Sequence, residues 1–208
     1  MERPHRPVRL PIEAFDVVKG AEDPATISRI AHETAQALLH RVRGSDDPEV
    51  VARTVRYTIE NGIDDVAELW SRSAARSLPG SLWRLYLIHA AVSRDAVGTA
   101  EVYRRGVAVD RSISHIVAGA VEPTGPREIR ALTEEILRGA FVGDFADALA
   151  RAAAFSAVMS LGSHALAEVT DADDPEHASL VTLRSARYLE FSKDLAASAA
   201  LARDGRLD

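Results

Sequence analysis

The sequence predicts an all-α fold, a multi-helix bundle of about seven to eight helices, on three observations. Apolar residues recur at i, i+3, i+4 and i+7 along most of the chain, the spacing that gathers them on one helical face. Asp23-Pro24, Asp47-Pro48 and Asp174-Pro175 each set a capping carboxylate before a proline. Proline suits the first helical position because the N–H it lacks has no partner there. The third observation is an internal echo. Ile63 to Ser77 overlays Val142 to Ser156 without gaps, with identities at Asp65/Asp144, Ala67/Ala146, Arg72/Arg151, Ala74/Ala153, Ala75/Ala154 and Ser77/Ser156. The helices ahead of both stretches also match in length. Two related α-hairpins within a compact bundle is one reading of this echo, and alanine bias is the other.

Residues 1–22 carry Pro4, Pro7 and Pro11 interleaved with Arg3, Arg6 and Arg9, which forbids a regular helix and predicts an extended arm. Leu10, Ile12, Phe15 and Val17 are the side chains that would dock this arm on the body. Residues 23–208 are expected to form a single helical domain. Its first helix runs from Pro24 to Arg43, closes at Gly44 and turns Ile27, Ile30, Ala31, Thr34, Leu38 and Val42 inward. His32, Gln36 and His40 resemble a metal-ligand ladder in spacing but point away from that stripe, so they read as a solvated face. A second helix from Pro48 to about Glu60 stops at Asn61-Gly62. The echo stretch follows as a helix around Trp70, in which Asp65 and Arg72, like Asp144 and Arg151, are expected to cap and pair helices. Leu78-Pro79-Gly80 should break the chain before an almost wholly apolar helix from about Ser81 to Val92, with Leu82, Leu85, Tyr86 and His89 on one face. A helix of that kind belongs near the centre of the fold.

Asp95 to Arg105 reads as a further helical segment ending at Arg104-Arg105-Gly106. From Val107 to Gly125 the periodicity fails; a short helical turn is expected, because a structureless connection of about 20 residues is uncommon inside a domain. Ser112, Ser114 and His115 lie there without the Gly-x-Ser-x-Gly elbow that would mark a nucleophile. Pro126 opens a helix with Ile129, Leu132, Ile136 and Leu137 inward, interrupted around Gly139 to Gly143. Asp144 to Leu161 follows, with Phe145, Leu149, Ala152, Phe155 and Met159 as core, and His164 to Val169 either extends it or turns. Asp171 to Asp174 is an acidic turn, and Glu176 and Thr182 stand where an EF-hand loop needs Gly and Glu. The last helix, Pro175 to about Arg203, sets Leu180, Leu183, Phe191 and Leu195 on one side. Arg184 and Arg187 project within or beside that stripe, where an unpaired charge is costly. They require an acidic partner, an exposed stem or an anionic ligand.

Composition narrows function by exclusion. The chain has 208 residues, 47% hydrophobic and 27% charged, an ordinary globular balance. It has no cysteine, which removes disulfides, thiolate metal sites and a cysteine nucleophile together and fits a reducing cytoplasm. No apolar signal core and no uninterrupted run of about 18 apolar residues occurs, so neither export nor membrane insertion is expected. A net charge of −6 opposes nonspecific nucleic-acid binding. All but Lys19 and Lys193 of the 25 basic residues are arginine, the mark of a GC-rich coding bias rather than of a function. No cofactor or metal motif is present.

The segments Arg9-LPIEAFDVVKGAEDP-Ala25, Gly62-IDDVAELWSRSAARSLPGSLWRLYL and Ile136-LRGAFVGDFADALARAAAF resemble a family of uncharacterised all-helical bacterial proteins of about this size, some of them loosely named DNA-binding. The resemblance implies no site residues. The DNA-binding label sits poorly with the acidic balance and the lack of a recognisable reading helix.

The leading expectation is a cytoplasmic, non-catalytic module for protein–protein contact, with another protein or with itself as a homodimer. The alternative is a bundle pocket for a small anionic ligand or substrate, contacted by Arg184, Arg187 and His89. A third is nucleic-acid association through the basic arm.

Overall fold

The structure, a computed structural model, describes residues 23–43, 69–113 and 125–208. Among them run six long helices and no strand: α1 (Pro24–Arg43), α2 (Leu78–Arg94), α3 (Ala96–Val109), α4 (Pro126–Val142), α5 (Phe145–Thr170) and α6 (Pro175–Arg203). The fold is the all-α multi-helix bundle that the periodicity predicts. The arm, the Pro48 helix, Ile63 to Glu68, Ser114 and His115 lie outside the described residues.

α5 is the axis of the bundle. It forms a long antiparallel hairpin with α6 and also packs against α2, α3 and α4. Its alanine-rich sequence is the cause, since small side chains let neighbouring helices approach on several sides. The closest approach is to α3. A Cβ added at Gly162 would lie 1.9 Å from the carbonyl oxygen of Val102, and one added at Gly106 would lie 2.0 Å from that of Val158. Next to this crossing Tyr103 and Phe155 stack with ring centroids 5.7 Å apart. On its other side α5 meets α6 through two serines. The Ser160 hydroxyl donates to the Ser185 carbonyl, and the Ser185 hydroxyl donates to the Ser160 carbonyl, each at 2.9 Å.

By length and composition α5 is able to cross a bilayer, although the chain has no uninterrupted apolar run of about 18 residues. More than half of its most apolar window is buried by the neighbouring helices, as in the core helix of a folded bundle.

Several helix ends differ from expectation for identifiable reasons. Leu78-Pro79-Gly80 does not break the chain; it is the first turn of α2, where proline is tolerated, and the Ser77 hydroxyl accepts from the Gly80 N–H at 3.2 Å. Asp95 both ends α2 and caps α3, its carboxylate accepting from Gly98 N–H at 2.8 Å. α3 runs past Arg105 to Val109, because Gly106 serves the α3–α5 crossing rather than a helix end. α4 runs through Gly139, with Gly143 as its cap, and α5 extends through His164 to Thr170. α1 and α6 begin and end where the sequence places them.

The echo is not carried through. Leu69 to Ser71 is helical, but Arg72 to Ser77 forms turns, whereas its counterpart Arg151 to Ser156 lies within α5. The reason is local. The Ser77 hydroxyl donates to the Ala74 carbonyl at 2.7 Å, and that carbonyl is packed so tightly against α2 that a Cβ at Gly80 would come within 2.0 Å of it. Trp70, fully buried, anchors the segment by donating its indole N–H to the Thr34 hydroxyl of α1 at 3.1 Å. The roles expected of Asp144 and Arg151 do hold. Asp144 accepts from the N–H groups of Ala146 and Asp147, and Arg151 pairs with Glu135 of α4 at 2.9 Å.

Candidate groove between α2 and α6

The face α6 buries is only partly the one expected: Leu195 is buried and Phe191 half-buried, but Leu180 and Leu183 are 60% and 62% exposed. In their place the buried line runs through Ala178 and Val181 and on to Ala199, joined by the half-buried Ser185, Tyr188 and Ser192. Both readings satisfy helical spacing, because α6 carries apolar residues on more than one side. The serine clasp with α5 selects the Val181 side. Arg184 and Arg187 are therefore exposed and bear no burial cost.

They nevertheless come together in one place. Between α2 and α6 lies a groove of about 770 Å³. Leu87, Ile88, Ala90, Ala91, Tyr188 and Phe191 form its apolar walls, and Arg94, Arg184 and Arg187 line it as well. No carboxylate lines the groove among the described residues, and none of these three arginines makes an ion pair there. Burial holds the Tyr188 phenol above its ordinary pKa, an effect that the nearby Arg184 charge opposes.

The groove ends where α2 closes onto α6. There Arg84, with its side chain 15% exposed, meets Asp194, 19% exposed, at 3.2 Å, and its guanidinium lies 5.4 Å from the centre of the Phe191 ring. Arg76 reaches the same carboxylate from outside at 3.2 Å. Of the arginines in this region, Arg84 is the one that needs its acidic partner.

His89 is elsewhere. It is buried on the side of α2 that faces α4, with Nε2 3.3 Å from the Ser93 hydroxyl and with Nδ1 lacking a hydrogen bond among the described residues. Burial lowers its pKa below the ordinary 6.5; Glu134 opposes that shift and Arg130 adds to it. The structure therefore separates His89 from Arg184 and Arg187. His32 is half-buried, while Gln36 and His40 are exposed, and no group of three or more potential metal ligands occurs among the described residues. Ser112 donates its hydroxyl to Asp110 at 2.7 Å, at the start of the helical residues 111–113.

A second hollow, about 760 Å³, lies where α1 and the start of α5 meet the end of α6, but it is more polar and brings together no cluster of like charges. No family model, curated protein or solved structure matches this chain.

Proposed function

We propose that this chain works by protein–protein contact, through the α2–α6 groove and the face of α6 that continues it. One observation carries the reading. Leu180 and Leu183 lie in water on the side of α6 that holds Arg184, Arg187 and Phe191, the side that α2 covers only farther along the helix. Large aliphatic side chains exposed beside an apolar groove mark interaction surfaces. The partner is a second copy or another protein, and the cytoplasm is the compartment proposed. No catalytic role is assigned to any residue.

A photo-crosslinking amino acid at Leu183, compared with one at the exposed Ala131 of α4, tests this in the producing cell. A discrete adduct from position 183 alone is expected. No adduct from either position, with a monomer by light scattering, would sink the reading.

The three arginines favour a second reading, a site for a small anionic ligand. A phosphate-dependent rise in melting temperature that Arg184→Ala and Arg187→Ala abolish would establish it. Nucleic-acid association through residues 1–11 is the third, and it requires salt-dependent DNA binding lost on their deletion.

A further inference from the structure

We infer that the segment seated in the α2–α6 groove is an acidic amphipathic helix of a partner protein. This rests on the groove being a protein-contact surface and adds the chemistry of its occupant. Shape supplies the first argument. Leu180, Leu183, Arg187 and Phe191 recur at i, i+3, i+7 and i+11 on α6, and α2 supplies a second wall from Leu87 to Arg94. Two helices with an apolar floor between them form the seat that a third helix takes in a bundle, and helix-in-groove recognition reads anchors at this spacing.

Charge supplies the second. The chain carries −6 overall, yet Arg94, Arg184 and Arg187 line this groove and no carboxylate is among its lining residues. The site is thus a basic spot on an acidic protein. It draws in a segment whose carboxylates can pair with the guanidinium groups while its apolar face covers Leu180 and Leu183. A second copy presenting the same face fits poorly, because a two-fold contact sets these arginines near their own counterparts. A free phosphate would satisfy the arginines and leave the leucines in water.

The test pans a phage library of random peptides of about 16 residues, long enough for four turns of helix, on the full chain. Enriched peptides should be net negative with apolar residues at i, i+3 or i+4, and i+7. A synthetic copy of one should lose at least about tenfold in affinity on Arg184→Gln with Arg187→Gln, bind more weakly as salt rises, and be abolished by Leu183→Asp. All three residues are exposed, and circular dichroism of each variant establishes that the fold is kept. Neutral or basic peptides that Leu183→Asp still displaces would overturn the acidic chemistry and leave the contact surface standing. Peptides indifferent to both sets of changes would overturn both. A dimer by sedimentation that Leu183→Asp dissolves would replace the partner with a second copy.

Discussion

The α5–α6 hairpin is gripped on one side and open on the other. Where α5 meets α3, two backbones touch through Gly106 and Gly162, and no additional atom fits. Along the first half of α6, by contrast, Leu180, Leu183, Arg184 and Arg187 face solvent. The two surfaces are built from equally ordinary residues. What separates them is coverage: α6 is 29 residues long and the α2 that packs on it only 17, so part of α6 extends past its cover. A helix longer than its neighbours leaves a face available without any local sign of function.

The sharpest way to break this contrast is Gly162→Ala. Its methyl group would press on the Val102 carbonyl and the Gly106 nitrogen, neither of which can move without shifting a helix, so a loss of about 3 kcal/mol or more is expected in denaturant unfolding. A loss below about 1 kcal/mol would show that the crossing yields. Next comes Asp194→Ala, which strands the poorly exposed Arg84 and should cost about 2 kcal/mol, whereas Arg184→Ala and Arg187→Ala should each stay within about 0.5 kcal/mol. Equal effects from all three would mean that the groove arginines are structural.

The smallest effect concerns pH. His89 has a folded pKa below its unfolded 6.5, so the unfolded chain binds the proton more readily. Its contribution is complete above 6.5 and is lost as pH falls from there through the folded pKa. His89→Gln should flatten the decline in unfolding free energy between about pH 7 and pH 5. An unchanged slope would assign that decline to other groups.

Much of the architecture was legible because it is encoded locally. Asp23 and Asp174 cap the helices that their prolines open, and the core positions Ile129, Leu132, Leu149, Phe155 and Met159 follow from spacing alone. What spacing cannot tell is which of two apolar sides a helix buries. α6 offered a side with Leu180 and Leu183 and a side with Val181 and Tyr188, and only packing against α5 decides between them. Gly106 misled for a related reason: a glycine that ends a helix and one that admits a neighbouring backbone look alike in one dimension. Arg184 and Arg187 do not bear the burial cost that their place near the apolar stripe suggests, while Arg84, which bears it, has its partner Asp194 110 residues away, beyond the reach of local spacing.

The reciprocal bonds between Ser160 and Ser185 also fix a phase. Each hydroxyl reaches across to the other's carbonyl, so sliding or rolling α6 by even one residue breaks both bonds at once. Ser185 adjoins Arg184 and stands two positions before Arg187. Two small side chains on another side of the helix thereby index where Arg184 and Arg187 stand along the groove.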